Sequence, residues 1–145
     1  MRRWSRTALV LGVASALTVT PSLQTAAGTA PGEFRMFNMV NASRSSQGIS
    51  RLSLSDRLSR MARRHSRRMA RELRLFHHSC LACRFPSGSV LGENVGTATS
   101  LRRIHRLMMN SAAHRGVLLN GAFDRVGIGV VKRGRTYWVT EIFHA

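Results

Sequence analysis

The amino-acid sequence predicts an α+β domain in which helices pack around a small antiparallel sheet. Segments of helical period dominate the chain before residue 114, and β-branched and aromatic runs fill its end. Those two runs flank a glycine-containing turn, as an antiparallel hairpin does. Helices first and strands last is the order of an α+β fold rather than of alternating βαβ units. A length of 145 residues with 43% hydrophobic content suits one such domain with a true core.

The N-terminal segment stands apart. Met1 to Arg6 carries three arginines, and Ala8 to Val19 is apolar apart from small residues and Thr18. Thr25-Ala26-Ala27 then offers small residues to a cleavage pocket. This is the order of a secretory signal peptide, expected over residues 1–27 and removed on export. The apolar run is too short for a bilayer core that needs about 20 residues. Arg2-Arg3 lacks the rest of a twin-arginine motif, and no later segment is long or apolar enough to span a membrane. Residues 28–32 are small and include Pro31, so they read as a short linker. Residues 33–145 then form the domain.

The first helix is expected over Glu33 to Ala42, with Phe34, Phe37, Val40 and Asn41 on one side. Ser43 to Gly48 ends it, and the Glu33 carboxylate suits its positive end. Ser55 caps the second helix. Leu58, Met61, Ala62, His65, Met69 and Leu73 line one face of it. Arg57, Arg60, Arg63, Arg64, Arg67, Arg68 and Arg71 cover the other. These arginines repel one another at i,i+3 and i,i+4, so packing of the apolar face must hold the helix. A third helix is expected from about Ser100 to Ala113, on a stripe of Leu101, Ile104, Leu107 and Met108. The hairpin pairs Arg125 to Val131 with Thr136 to Phe143 around Lys132 to Arg135.

Charge bounds the partners. Of 23 basic residues three leave with the signal, and the remaining 20 face 6 acidic ones, a net charge of about +14. Lys132 is the only lysine. Such a charge favours anionic surfaces: cell-wall polymers, acidic lipid headgroups or nucleic acid. For an exported chain without interleaved aromatics, nucleic acid is the disfavoured partner.

The sequence holds no P-loop, no dinucleotide-binding glycine turn, no Gly-x-Ser-x-Gly elbow and no His-Glu-x-x-His helix. What remains is a set of histidines and one carboxylate, expected in loops. His77 and His78 follow the second helix, Glu93 sits in Leu91-Gly92-Glu93-Asn94-Val95, and His114 follows the third helix. His65 reads as a hydrogen-bonded packing residue, and His105 and His144 carry no supporting pattern. Cys80 and Cys83 read first as a disulfide in an exported chain. Behind that stand a zinc site with His77 or His78 and a redox pair.

Ordered blocks along the domain resemble the CAP (SCP/pathogenesis-related-1-like) superfamily, bacterial secreted type. They are Asn41 to Arg44; Leu58, Ala62, His65-Ser66 and Met69; Phe76-His77; and Gly92-Glu93-Asn94-Val95. Ser111-x-x-His114-Arg115, Val126-Gly127-Ile128-Gly129 and Trp138 to Phe143 continue the match in the same order. The resemblance implies an α-β-α sandwich with a central cleft holding histidines and glutamate, often around a divalent metal such as zinc. It places His77 (less readily His78), Glu93 and His114 at the cleft positions. Two imidazoles and a carboxylate suit Zn²⁺ and leave a position for water. The alternative is a polar cluster that stitches loops by hydrogen bonds.

The chain departs from the fullest family pattern. Ser111 stands where a second glutamate occurs, Met108 replaces a large aromatic, and Val117 replaces an asparagine. Fewer acidic ligands imply a weaker or exchangeable metal. The resemblance implies a secreted binding module for a lipid, cell-envelope or protein ligand. The alternative is an extracellular metal-assisted hydrolase, with Glu93 as ligand or general base and His77 and His114 positioning metal or water.

Overall fold

A computed structural model describes residues 30–145; the expected signal peptide over residues 1–27 lies outside the described residues. Among the described residues four helices surround a four-stranded sheet. In chain order they are α1 (Pro31–Ser46), β1 (Ser53–Leu54), α2 (Asp56–Glu72), β2 (Leu91–Ala98), α3 (Leu101–Asn110), α4 (Ala112–Leu118), β3 (Arg125–Arg133) and β4 (Thr136–His144). A short 3₁₀ turn at Ala82–Arg84 precedes β2. The strand order is β1-β3-β4-β2, with β1 parallel to β3 and the other pairs antiparallel.

Strand alternation sorts the helices into two layers. On one face Val126, Ile128, Val139 and Phe143 pack with Met36 and Val40 of α1, Ile104 and Met108 of α3, and Leu118 of α4. On the other, Ile142 packs with Leu58, Met61 and Ala62 of α2, and Val95 and Trp138 with Met69 and Ala70. Helices therefore cover both faces, giving an α-β-α sandwich. The α2 layer lies close because β3 presents Gly127 and Gly129 to it: a Cβ at either would overlap the α2 backbone at Leu58–Ser59 or Ala62–Arg63. The Val-Gly-Ile-Gly block is thus a seat for a helix. Two hydroxyls pin that seat: Ser66 Oγ donates to the Gly129 carbonyl at 3.0 Å, and Ser59 Oγ accepts the Ile128 N–H at 3.2 Å.

Several boundaries differ from the sequence expectation. Helix α1 opens at Pro31, inside the expected linker, because proline suits a first helical position. Its inner face is Glu33, Met36, Val40, Asn41 and Arg44, while Phe34 is half exposed. Leu73 is not part of the α2 core face: it ends the helix in the left-handed region at φ 51° and is exposed. The third helix breaks at Ser111, whose extended backbone separates α3 from α4, and Leu107 points outward. The hairpin turn is shorter than expected, just Gly134-Arg135, with Arg133 opposite Thr136. Gly134 has φ 58°, which the first position of such a two-residue turn requires.

Two buried charges tie distant segments together. Arg44 is fully buried and donates to the carbonyls of Ser50, Leu118, Asn120 and Phe123 at 2.8 to 3.2 Å. Glu33, also fully buried, bridges the layers by pairing with Arg63 of α2 in a bidentate contact of 2.7 and 2.5 Å. It also accepts the Val130 N–H at 3.4 Å, where β1 no longer covers the β3 edge.

Candidate functional site

Helix α2, the segment after it and strand β2 meet at one end of the α2 layer. The left-handed turn at Leu73 reverses the chain, so the segment Arg74–His78 runs back beside the last turns of α2. Eight residues of helix rise about 12 Å, and five extended residues span about 16 Å at most, so His78 can return to the level of His65. Their rings are stacked, with centroids 3.8 Å apart. His65 Nε2–H donates to the Phe76 carbonyl at 2.7 Å, and its ring meets the Phe76 ring edge-on at 5.1 Å.

Glu93 closes the group from β2. It is on that strand rather than in a loop, paired with Ile142 of β4. Its Oε2 accepts from His78 Nδ1 at 2.5 Å, and its Oε1 accepts from His77 Nδ1 at 2.9 Å and the His78 backbone N–H at 3.1 Å. Burial pushes the Glu93 carboxyl up, but the hydrogen bonds and charge of His78 outweigh it and hold the group below its usual range. Burial lowers His65, favouring its neutral form.

A metal is what the fold family implies for such a cleft. One potential ligand atom each from His65, His78 and Glu93 lies within 4.8 Å of the others. At the tetrahedral angle two bonds of about 2 Å place donors about 3.3 Å apart, so the side chains would draw in by up to about 1.5 Å. His65 already spends Nε2–H on a carbonyl, which leaves Nδ1 with a lone pair; a metal-bound imidazole is held this way. The donor set fits a zinc-type ion.

The expected site residues divide. Of the two candidate histidines, His78 joins the close group and has a side chain only 13% exposed, whereas that of His77 is 58% exposed and caps Glu93 from outside. His114 is not part of the group. Its Nδ1 meets Ser111 Oγ at 2.8 Å, and its carbonyl accepts from Asn94 Nδ2 at 3.2 Å. Asn94 follows Glu93 in a strand, so the two side chains project to opposite faces of the sheet. It is therefore Asn94, not Glu93, whose side chain reaches the His114 backbone. In exchange the structure recruits His65, expected only as a packing residue. Cys80 and Cys83 are disulfide-bonded with Cα atoms 5.4 Å apart, and Cys83 lies within the 3₁₀ turn.

Glu141 is a further carboxyl that sequence reasoning missed. It is fully buried on the β4 face opposite α2 and receives Asn94 Nδ2–H at 3.4 Å, while its Oε1 has no partner among the described residues. Burial raises it to about 8.

The three-layer α-β-α arrangement is the architecture of the CAP class. The chain belongs to the cysteine-rich secretory protein (CAP) family, whose model matches residues 37–143. A curated relative, the uncharacterized protein YkwD of Bacillus subtilis (strain 168), is 28% identical over 119 residues. That match takes in 75% of this chain and 46% of YkwD, so the chain spans about half the length of this relative. Among solved structures the fold is similar to an outer surface protein of Borrelia burgdorferi, with TM-score 0.71, 15% identity and coverage of 81% of this chain and 94% of that one. It is also similar to an extracellular SCP-domain protein of Bacillus anthracis str. Ames, with TM-score 0.63, 22% identity and coverage of 77% and 39%. A third is venom allergen-like protein 4 of Schistosoma mansoni, with TM-score 0.66, 11% identity and coverage of 79% and 88%.

Proposed function

We propose that this CAP domain is an exported binding module that docks on anionic cell-envelope material, polymer or lipid headgroup, through the arginine face of α2. The observation that carries the reading is the composition of that face. Arg57, Arg60, Arg64, Arg67, Arg68 and Arg71 are all exposed along one helix whose opposite side is buried against the sheet. Within α2, Asp56 and Glu72 are the only acids, one at each end. Like charges at helical spacing destabilise a helix, and an anionic partner relieves that repulsion. Among the described residues no helix is long and apolar enough to cross a membrane, so contact would be peripheral. The outer-surface and extracellular descriptions of two structural neighbours are consistent with export. Sedimentation with anionic vesicles or isolated cell walls at low and high salt tests the reading. Retention should fall steeply as the Debye length shrinks from about 10 Å at 0.1 M to about 3 Å at 1 M. Retention that ignores salt sinks it.

The His65–His78–Glu93 group supports a second reading, a metal-assisted hydrolase. In it the two imidazoles and the carboxylate hold the ion, His77 keeps Glu93 oriented from outside, and the Phe76 carbonyl fixes the His65 tautomer. A bound ion would supply Lewis acidity or an acidified water there. Metal analysis of protein purified without chelator addresses it: bound zinc should disappear in His78→Ala and persist in His114→Ala. A metal-free parent protein that takes up no added zinc removes this reading.

A further inference from the structure

Beside the histidine–glutamate group lies a cavity of about 130 Å³, lined by Met61, Arg64, His65, Arg68, His78 and Arg84 but not by Glu93. We propose that this cavity is a binding site for a phosphoryl oxyanion, with Arg64, Arg68 and Arg84 as its clamp. The proposal deepens the anionic-partner reading and rests on it for the class of ligand, but it assigns that ligand a discrete seat.

Three separate features bring the guanidiniums together. Arg64 and Arg68 are one helical turn apart on α2 and therefore share a side of it. Arg84 comes from the 3₁₀ turn, which the Cys80–Cys83 bond braces and whose Arg84 carbonyl accepts a hydrogen bond from Arg57 at 3.2 Å. Arg68 is pre-set. Its Nε donates to Glu72 at 2.8 Å and its guanidinium lies 5.1 Å from the centre of the Phe76 ring. The terminal amino groups of Arg68, and the whole side chains of Arg64 and Arg84, have no hydrogen-bond or ion-pair partner among the described residues. The inner wall is Met61, His65 and His78, buried or half buried, so a ligand there meets a low-dielectric side and a cationic rim.

The chemistry selects the ligand class. One guanidinium fork satisfies a carboxylate, whereas three forks match a group that spreads about two negative charges over several oxygens, as phosphate does. The volume suits a tetrahedral anion with a little water, at about 30 Å³ per water molecule. Arginine keeps its charge throughout the physiological range, so the site needs no protonation event to form.

The test is a calorimetric titration of the purified protein with inorganic phosphate at constant ionic strength, with chloride as control. The double variant Arg64→Ala/Arg84→Ala should bind phosphate at least about tenfold more weakly, since each loses charge-assisted hydrogen bonds. Arg102→Ala/Arg103→Ala, which removes the same charge from exposed positions on α3 across the sheet, should leave the affinity unchanged. Both pairs are exposed, and an unchanged thermal midpoint shows that the fold is intact. Equal losses in the two double variants, or chloride binding as well as phosphate, overturn the pocket while leaving the general charge reading standing. Repeating the comparison with glycerol phosphate and with phosphatidic acid vesicles identifies the source. Loss of vesicle binding in the Arg64/Arg84 variant assigns a lipid headgroup, and loss confined to glycerol phosphate assigns a soluble phosphate ester.

Discussion

Arg44 and Glu141 have no solvent exposure, yet their situations are opposite. Arg44 is satisfied by four carbonyls drawn from the loop after α1, the last residue of α4 and the chain that follows it. Its removal leaves those carbonyls buried without a donor, so Arg44→Leu should cost about 3–5 kcal/mol, read as a lowered midpoint in urea unfolding. Glu141 has only a long contact to Asn94 and is held near 8 by burial. Its folded pKa is therefore raised above the unfolded value of 4.5. The folded state binds the extra proton between those limits, so stability falls as pH rises from about 4.5 to about 8 and levels off above. The slope is at most about 1.4 kcal/mol per pH unit. Glu141→Gln should flatten this part of the stability–pH curve in denaturant titrations; an unchanged slope would mean that the carboxyl titrates normally. Neither residue's burial is visible in the sequence, because a charged side chain is ordinarily expected outside.

At the scale of elements, the seat of α2 on β3 decides the site. Gly127 and Gly129 let the helix backbone approach, and that approach sets where His65 stands relative to Glu93. Gly129→Ala should push α2 outward and destabilise the fold by about 1–3 kcal/mol or more. Zinc affinity, if the cleft binds zinc, should fall with it. Thermal unfolding with and without zinc reads both. The Cys80–Cys83 bond closes a short loop, so Cys80→Ser/Cys83→Ser should cost no more than the low end of about 2–4 kcal/mol. A larger loss in thermal unfolding would show that the bond holds more than its own turn. Apolar period located α2 and the hairpin well, because strong amphipathic patterns survive tertiary packing. It traced α1 only in part: Val40 and Asn41 are buried and Phe37 packs on the core, but Phe34 is exposed, and Glu33, Met36 and Arg44 complete an inner face that apolar spacing does not mark.

For the whole molecule, the two-layer arrangement of helices separates two kinds of surface. The α2 layer carries the arginine face, the histidine–glutamate group and the cationic cavity, while α1, α3 and α4 enclose the larger core. Binding to anionic envelope material should therefore be directional: removal of exposed α2 arginines should weaken vesicle retention more than removal of equal charge from α3. Paired charge-removal variants in the low-salt sedimentation assay check this. Equal weakening would mean that net charge alone, not the face, mediates contact.

The sequence by itself determined the class of fold, the α2 helix with its two chemically opposite sides and the terminal hairpin; for Cys80 and Cys83 it ranked a disulfide ahead of a zinc site and a redox pair, and it offered Glu93 and the histidines only as candidates. These are local properties: period, capping, turn chemistry and short spacing. Only the tertiary structure decided that Glu93 lies on a strand, which turns Asn94 to the other face, that His114 stands outside the close group, and that the reversal at Leu73 lays His78 on His65. Which side chains meet depends on strand register and on the path of a returning segment, and those are set by contacts between residues far apart in the chain.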